Sequence, residues 1–213
     1  MSDARNPPIR ILIVDDHPVV LAGLTSMLGT QPGMEVVGSA SGGEEALEMF
    51  RSKPADVLLL DLRMPGMSGI DTLHALRRAR ISVRVIVLTS FETDEDIYRA
   101  VQAGAHGYLL KGAPQSDMIQ AIRVVHGGKR YFPRHITERL AERMMRTDLS
   151  ARELEVLHML ARGLTNKDIG RALNISGNTV RNHVNSIIEK LEVSDRTEAA
   201  TTAIHRGIIE VNS

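Results

Sequence analysis

The sequence predicts a doubly wound α/β domain on a five-stranded parallel sheet, followed by a small all-α domain. Three observations carry this. Residues 9–126 alternate five short apolar runs with five segments of helical spacing, the pattern of βα repeats. The runs are β-branched or leucine-rich along their length, as strands covered on both faces are. From Leu149 onward the period is helical and no strand run occurs. At roughly 100–200 residues per domain, 213 residues accommodate both parts.

The strand runs are Ile11 to Val14, Val36-Val37, Val57 to Leu60, Val83 to Leu88 and Gly107 to Leu110. The intervening helical segments are Pro18 to Leu28, Glu44 to Phe50, Ile70 to Leu76, Asp94 to Ala103 and Ser116 to Val125. Ser68 with Asp71, and Thr93 with Asp96, have capping-box spacing. Gly127-Gly128 breaks the alternation. Arg134 to Arg146 then sets Ile136, Leu140 and Met144 four apart among arginines, which reads as an amphipathic linker helix facing its charges to solvent. Ser150 with Glu153 starts a helix to Ala161, Asn166 to Leu173 forms a short one, Ser176 caps a longer one to Leu191, and Ser194-Asp195 starts a last one to Arg206. The expected organisation is therefore 9–126 as the α/β domain, 127–148 as linker and 149–213 as the helical domain.

Apolar residues make up 43% of the chain and charged ones 24%, which excludes wholesale disorder and fibrous repeats. There is no cysteine, so disulfides, cysteine–zinc sites and thiol chemistry are excluded. No apolar run approaches a spanning length and the first residues lack a signal-peptide core, so a cytoplasmic protein with no membrane partner is expected. The net charge is zero but unevenly spread. Residues 1–126 hold 12 basic and 15 acidic side chains, and residues 127–213 hold 14 and 11. Residues 149–213 are balanced at 8 and 8, so the basic surplus sits in 127–148.

Polar side chains recur where the strands end. Asp15 and Asp16 follow the first run, Asp61 the third, Thr89 the fourth and Lys111 the fifth. Singly, each aspartate reads as a turn residue. In an open α/β sheet, however, ligands bind beyond the carboxyl ends of the strands, so the pattern gathers three carboxylates, a hydroxyl and an ammonium in one crevice. Clustered carboxylates repel unless a cation relieves them, and hard oxygen donors suit Mg²⁺. With a cation and Lys111 present, one carboxylate is left as a nucleophile able to form an aspartyl phosphate.

These residues resemble the receiver domain of bacterial response regulators: Ile-Val-Asp15-Asp16-His, Asp61-Leu-Arg-Met-Pro65-Gly-Met-Ser-Gly69, Thr89-Ser, and Gly-Tyr108-Leu-Leu-Lys111. The resemblance implies a flavodoxin-like fold and phosphorylation of Asp61 by a sensor histidine kinase. It implies Mg²⁺ held by Asp15, Asp16, Asp61 and the backbone carbonyl of Arg63. It also implies a switch in which Thr89 bonds the phosphoryl oxygens, Tyr108 swings inward behind it, and Lys111 pairs with the phosphate. Gly112 stands where many receivers carry proline. A rival, the aspartyl phosphatases of the haloacid dehalogenase type, needs a general-acid aspartate two residues beyond the nucleophile. Arg63 stands there, so an acyl phosphate would persist as a signal and no substrate turnover is expected.

In the second domain, Thr165 to Leu173, the Asn174-Ile175 turn and the helix from Ser176 read as helix-turn-helix. The second helix of that motif presents its N-terminal residues to the major groove. Arg181, Asn182 and Asn185 share one face and suit guanine and adenine. The charge balance of 149–213 leaves a helical interaction module open as an alternative. Leu149-Ser-Ala-Arg-Glu153-Leu-Glu155, Gly163-Leu-Thr-Asn166-Lys167-Asp-Ile169, Thr179-Val180-Arg181-Asn-His183 and Lys190-Leu191-Glu-Val193 resemble the LuxR-type DNA-binding domain. With the receiver, the chain is similar to the NarL/FixJ subfamily over about residues 9–210. That resemblance implies base contacts from Arg181, Asn182 and Asn185 and phosphate contacts from Lys167, Thr179 and Lys190. It implies a dimer carried by Ala199, Ala203 and Ile204 of the last helix.

His17, beside Asp16, reads as a cap for the first helix or as a pH-sensing group. The function expected is a transcriptional response regulator whose phosphorylation at Asp61 promotes homodimerisation and binding to an inverted-repeat site in double-stranded DNA. The alternative is a phosphorylation-independent DNA-binding or adaptor protein with a non-signalling receiver.

Overall fold

The computed structural model describes residues 7–90 and 93–209. They divide into two compact units, the first holding residues up to 90 and 96–137, the second residues 93–95 and those from 138 onward.

In the first unit β1 (Ile9–Val14), β2 (Met34–Ala40), β3 (Val57–Leu60), β4 (Arg84–Thr89) and β5 (Gly107–Leu110) form one sheet in the order β2-β1-β3-β4-β5. Every pairing is parallel. Helices α1 (Pro18–Gly29), α2 (Gly43–Ser52), α3 (Gly69–Arg78), α4 (Asp94–Ala103) and α5 (Gln115–His126) connect the strands and lead out of the last. Leu24 and Leu28 of α1 and Met118, Ala121, Ile122 and Val125 of α5 cover one face, packed on Ile11, Ile13, Val57, Leu59 and Ile86. Ala46 and Phe50 of α2, Leu73 and Leu76 of α3 and Ala103 of α4 cover the other, over Leu12, Val14, Leu58, Leu60 and Val85. This two-sided burial explains why the strands read as unbroken apolar runs. It is the doubly wound, flavodoxin-like architecture, with the strand order reversing at β1 and β3.

Strand β2 is longer than Val36-Val37. Its main chain pairs with β1 from Met34 to Ala40, with a register shift that leaves Val37 as the extra residue, although Glu35 and Ser39 face solvent and interrupt the apolar signal. Ser68 caps α3 as its spacing predicts, its side chain accepting from the Asp71 N–H.

Residues 127–133 do not form a free linker. Tyr131 makes an isolated parallel bridge with Gly107 on the outer edge of β5, and its ring packs against the core. Helix α6 (Arg134–Met145) follows, with Ile136 its one buried residue.

The second unit holds α7 (Ala151–Ala161), α8 (Asn166–Leu173), α9 (Gly177–Leu191) and α10 (Arg196–His205). Val156, Leu157, Leu160, Ile169, Val180, Val184, Ile187 and Leu191 share its core with Ala199, Ala203 and Ile209. Each helix start is fixed by a side-chain cap: Ser150, Thr165, Ser176 and Asp195 accept from backbone N–H groups two or three residues on. Among the described residues no helix is long and apolar enough to cross a membrane.

Candidate functional site: an acidic pocket and a helix-turn-helix face

The pocket lies where β1 and β3 end side by side. Val14 pairs with Leu60, so the next residues, Asp15 and Asp61, emerge together, and the Asp61 N–H donates to the Val14 carbonyl at 2.9 Å. Asp15 is 1% exposed and Asp61 3%. Lys111, at the end of β5, reaches both: its Nζ donates to Asp61 Oδ2 at 2.7 Å and pairs with Asp15 Oδ2 at 2.6 Å. Burial acts to lower the Lys111 ammonium, but the hydrogen bonds and charges of Asp15 and Asp61 outweigh it and the net shift is upward. Lys111 is therefore cationic at neutral pH.

Asp15, Asp16, His17 and Asp61 place one ligand atom each within 4.8 Å of one another. The Asp16 Oδ1 atom is buried, and no donor meets it at hydrogen-bonding geometry, although His17 Nδ1 lies 2.8 Å away. A buried carboxylate oxygen without a donor beside two further carboxylates is the donor set a hard divalent cation satisfies. The residues fit the cation the sequence implies.

Thr89 ends β4 at 1% exposure, and the Lys111 N–H donates to its carbonyl at 2.9 Å. Tyr108 is fully buried on β5, paired with Val87. The pocket thus brings Asp15, Asp16, Asp61, Thr89 and Lys111 to one edge of the sheet, with Tyr108 behind it. Arg63 lies two residues past Asp61, its N–H 3.3 Å from Asp61 Oδ1.

Two residues enter that the expected site lacked. Gly69 opens α3 so close to Asp61 that a Cβ there would collide with the Asp61 carbonyl. The glycine closing the Pro65-to-Gly69 stretch was its only sequence signal. His17 does not cap α1 with its side chain. Its backbone N–H donates to Asp15 Oδ1 at 2.9 Å, and its Nδ1 lies 3.1 Å from the same oxygen. Adjacency to Asp16 was visible in sequence, but the ring's direction was not.

In the second unit α8 and α9 meet through a tight turn. Asn174 takes a left-handed φ of 54°, and a Cβ on Gly170 would sit 2.8 Å from the Ile175 carbonyl. The small residue lets the two helices approach. Arg181, Asn182 and Asn185 are exposed on α9, while Val180, Val184 and Ile187 of the same helix are buried. Lys167 is exposed on α8, and Lys167, Arg171, Ser176, Asn178 and Arg181 line one cleft between the helices. Arg171 is the cation the sequence reading missed. Its spacing of four from Lys167 on one helix was the available signal. Thr179 is half-buried and bonds Ser176 within the cap of α9, Oγ to Oγ1 at 2.8 Å.

Lys190 stands apart from that cleft. It is held at 2.7 Å by Glu153, which also accepts from Ser186 and from the Ser150 N–H. Burial pushes the Glu153 carboxyl up, but these donors outweigh it and bring its pKa down to about 2. The expected dimer residues need correction. Ala199 and Ala203 are fully buried in the core of their own domain, because the inward side of α10 packs on α7 and α9, so they present nothing to a partner. Ile204 is 44% exposed and remains available.

Residues 11–123 match the response regulator receiver domain, and residues 147–203 match the bacterial regulatory proteins of the luxR family. The nitrate/nitrite response regulator NarP of Escherichia coli is 41% identical over 199 residues, covering 90% of this chain and 93% of that protein. The transcriptional regulatory protein LiaR of Bacillus subtilis is 39% identical over 207 residues, covering 93% and 98%. Among solved structures, the RcsB response regulator in complex with DNA aligns with a TM-score of 0.71 at 28% identity, covering 92% of this chain and 97% of that one. Motifs, fold and relatives agree across both domains, and the chain belongs to the response regulators, in the NarL/FixJ subfamily of transcriptional regulators that join a receiver domain to a LuxR-type DNA-binding domain.

Proposed function

We propose that Asp61 is the phosphoacceptor of a two-component signalling pathway and that its phosphorylation raises the chain's affinity for specific DNA. The observation that carries this reading is the meeting of Asp61, Asp15 and Lys111 at 2.6–2.7 Å in a chain that also exposes Arg181, Asn182 and Asn185 on one helix face. Asp61 supplies the nucleophile. A carboxylate oxygen attacks the phosphorus of a kinase phosphohistidine, the P–N bond breaks, the imidazole leaves, and an aspartyl phosphate forms. Lys111 holds a positive charge where phosphoryl oxygens gather, and Thr89 offers a hydroxyl. Asp15, Asp16, Asp61 and the Arg63 carbonyl would hold Mg²⁺, which when bound neutralises the charge of the transferring group. Arg63 stands two residues past Asp61, where an aspartyl phosphatase would carry its acid–base aspartate, which suits a persisting acyl phosphate used as a signal.

On DNA, Arg181, Asn182 and Asn185 read bases, and Lys167, Arg171 and the amide-rich start of α9 meet phosphates. RcsB was solved on DNA, and this chain shares its fold over both domains. We assign the homodimer contact to the exposed outer side of α10 around Ile204. The protein would act in the cytoplasm, with a sensor histidine kinase and an inverted-repeat site in double-stranded DNA as partners.

Selection of genomic fragments with Mg²⁺ and beryllofluoride, a phosphoryl mimic, against neither, tests the whole reading. An inverted repeat enriched with beryllofluoride is expected. Equal enrichment in both conditions would overturn the coupling to Asp61.

A further inference from the structure

Residues 127–133, which the sequence assigns to the linker, are fastened to the receiver at two points, just beyond a clamp on the end of α5. Arg84 Nη1 donates to the Val125 and His126 carbonyls at 2.9 and 2.8 Å and closes the end of α5. Gly128 then turns with φ 87°, its N–H and that of Lys129 returning to the Val125 and Val124 carbonyls. Finally Tyr131 lies along β5. Its N–H donates to the His106 carbonyl at 2.9 Å, and its carbonyl accepts from the Tyr108 N–H at 3.1 Å. A Cβ on Gly107 would come 3.1 Å from the Tyr131 carbonyl, 3.3 Å from Ile86 and 3.4 Å from Val125. The missing side chain at 107 is what admits the extra strand residue.

The backbone of Tyr108 is consequently held on both sides, by β4 at Val87 and by Tyr131. Three residues after Tyr131 the chain enters α6, whose Ile136 is fully buried.

We propose that Tyr131 is a positioning residue for the switch: its two hydrogen bonds hitch the start of the linker to the backbone of Tyr108, so the state of the pocket at Asp61 reaches α6 through the edge of β5. The inference rests on the phosphorylation reading above. Tyr108 is fully buried while the hitch is formed. On this proposal the buried ring and the hitch are one state, which phosphorylation at Asp61 then favours, with Tyr131 and Tyr108 biasing one two-state element from both ends.

The test uses the full chain. Amide hydrogen exchange at Tyr131 is measured with Mg²⁺ and with and without beryllofluoride, alongside Asp61 labelling by acetyl phosphate and affinity for the selected DNA. In the wild type, exchange at Tyr131 should slow by about fivefold or more on adding beryllofluoride, the lower end of typical coupling. Tyr131→Pro removes the N–H given to His106, and Gly107→Ala crowds the Tyr131 carbonyl without changing Tyr131. Both should label as wild type does yet lose most of the beryllofluoride-driven gain in DNA affinity. A full gain in both labelled variants would overturn the inference, as would wild-type exchange at Tyr131 that ignores beryllofluoride. Loss of labelling in both variants would also overturn it, because Tyr131 would then support the pocket instead of relaying its state. A wild type that neither labels nor gains affinity would overturn the phosphorylation reading itself, and the hitch proposal with it.

Discussion

The Lys111 ammonium stands between two carboxylates, 2.7 Å from Asp61 and 2.6 Å from Asp15, and is the charge that makes their burial tolerable. Removing one member of a buried ionic group leaves uncompensated charge, at a cost of about 3–5 kcal/mol. Lys111→Met should therefore destabilise the receiver by about that amount in chelator-treated buffer. Saturating Mg²⁺ should recover part of it, since a cation that binds only the folded state stabilises by mass action. Urea titrations with and without Mg²⁺ measure both, and an unchanged midpoint without Mg²⁺ would contradict the role of Lys111.

The assignment of the nucleophile makes a sharper demand. Asp61→Asn keeps the shape of the side chain but removes the attacking charge, so labelling by acetyl phosphate should vanish. Intact-mass measurement would detect the phosphoryl adduct. Full labelling of Asp61→Asn would move the site to another residue.

The second domain should lose stability in acid through Glu153. Its carboxyl titrates at about 2 in the fold against an ordinary value of 4.5. A lowered folded value means the stabilisation is complete above the unfolded value and fades as pH falls through the folded one. Between pH 5 and 2, Glu153 should account for about 2–3 kcal/mol of the loss, after discounting for its half-exposed partner Lys190. Glu153→Gln should be less stable at pH 7 by a similar amount and show a flatter acid limb. Parallel pH series of denaturant midpoints would reveal it, and identical slopes would rule it out.

On DNA, the exposed cations divide by role. Arg181→Ala should cost about 1–3 kcal/mol and relax preference at one base position. Lys167→Ala and Arg171→Ala should weaken all sequences evenly and reduce the salt slope by about 1 each. Lys190→Ala should leave the salt slope unchanged and instead lower domain stability, because its ammonium serves Glu153. Binding curves over a salt series on the selected site and on scrambled DNA separate these outcomes.

Much of this molecule was readable from local chemistry. Caps at Ser68, Ser150 and Ser176 act through hydrogen bonds to residues three away, so spacing alone fixes them. Strands buried on both faces betray themselves as apolar runs. The acidic pocket was legible because the α/β topology sends strand ends to one edge, whatever fills the loops.

Other features depend on which distant groups come into contact, and no local pattern encodes that. The family resemblance implies a dimer contact at Ala199 and Ala203, and only the packing of α10 shows that their own domain uses them. Lys190 reads as a phosphate contact, and only the approach of α7 gives it to Glu153. The extended stretch at Tyr131 carries too weak a signal for a strand. It becomes one because Gly107, 24 positions earlier, leaves room beside β5 for backbone to reach backbone. By itself the sequence determined the fold class and the placing of Asp15, Asp16, Asp61, Thr89 and Lys111 at strand ends, since periodicity and strand-end chemistry are short-range properties. The tertiary structure alone decided the partners of Lys190, the burial of the α10 alanines and the hitch between Tyr131 and Tyr108, because long-range packing assigns each side chain and each unpaired backbone group its neighbour.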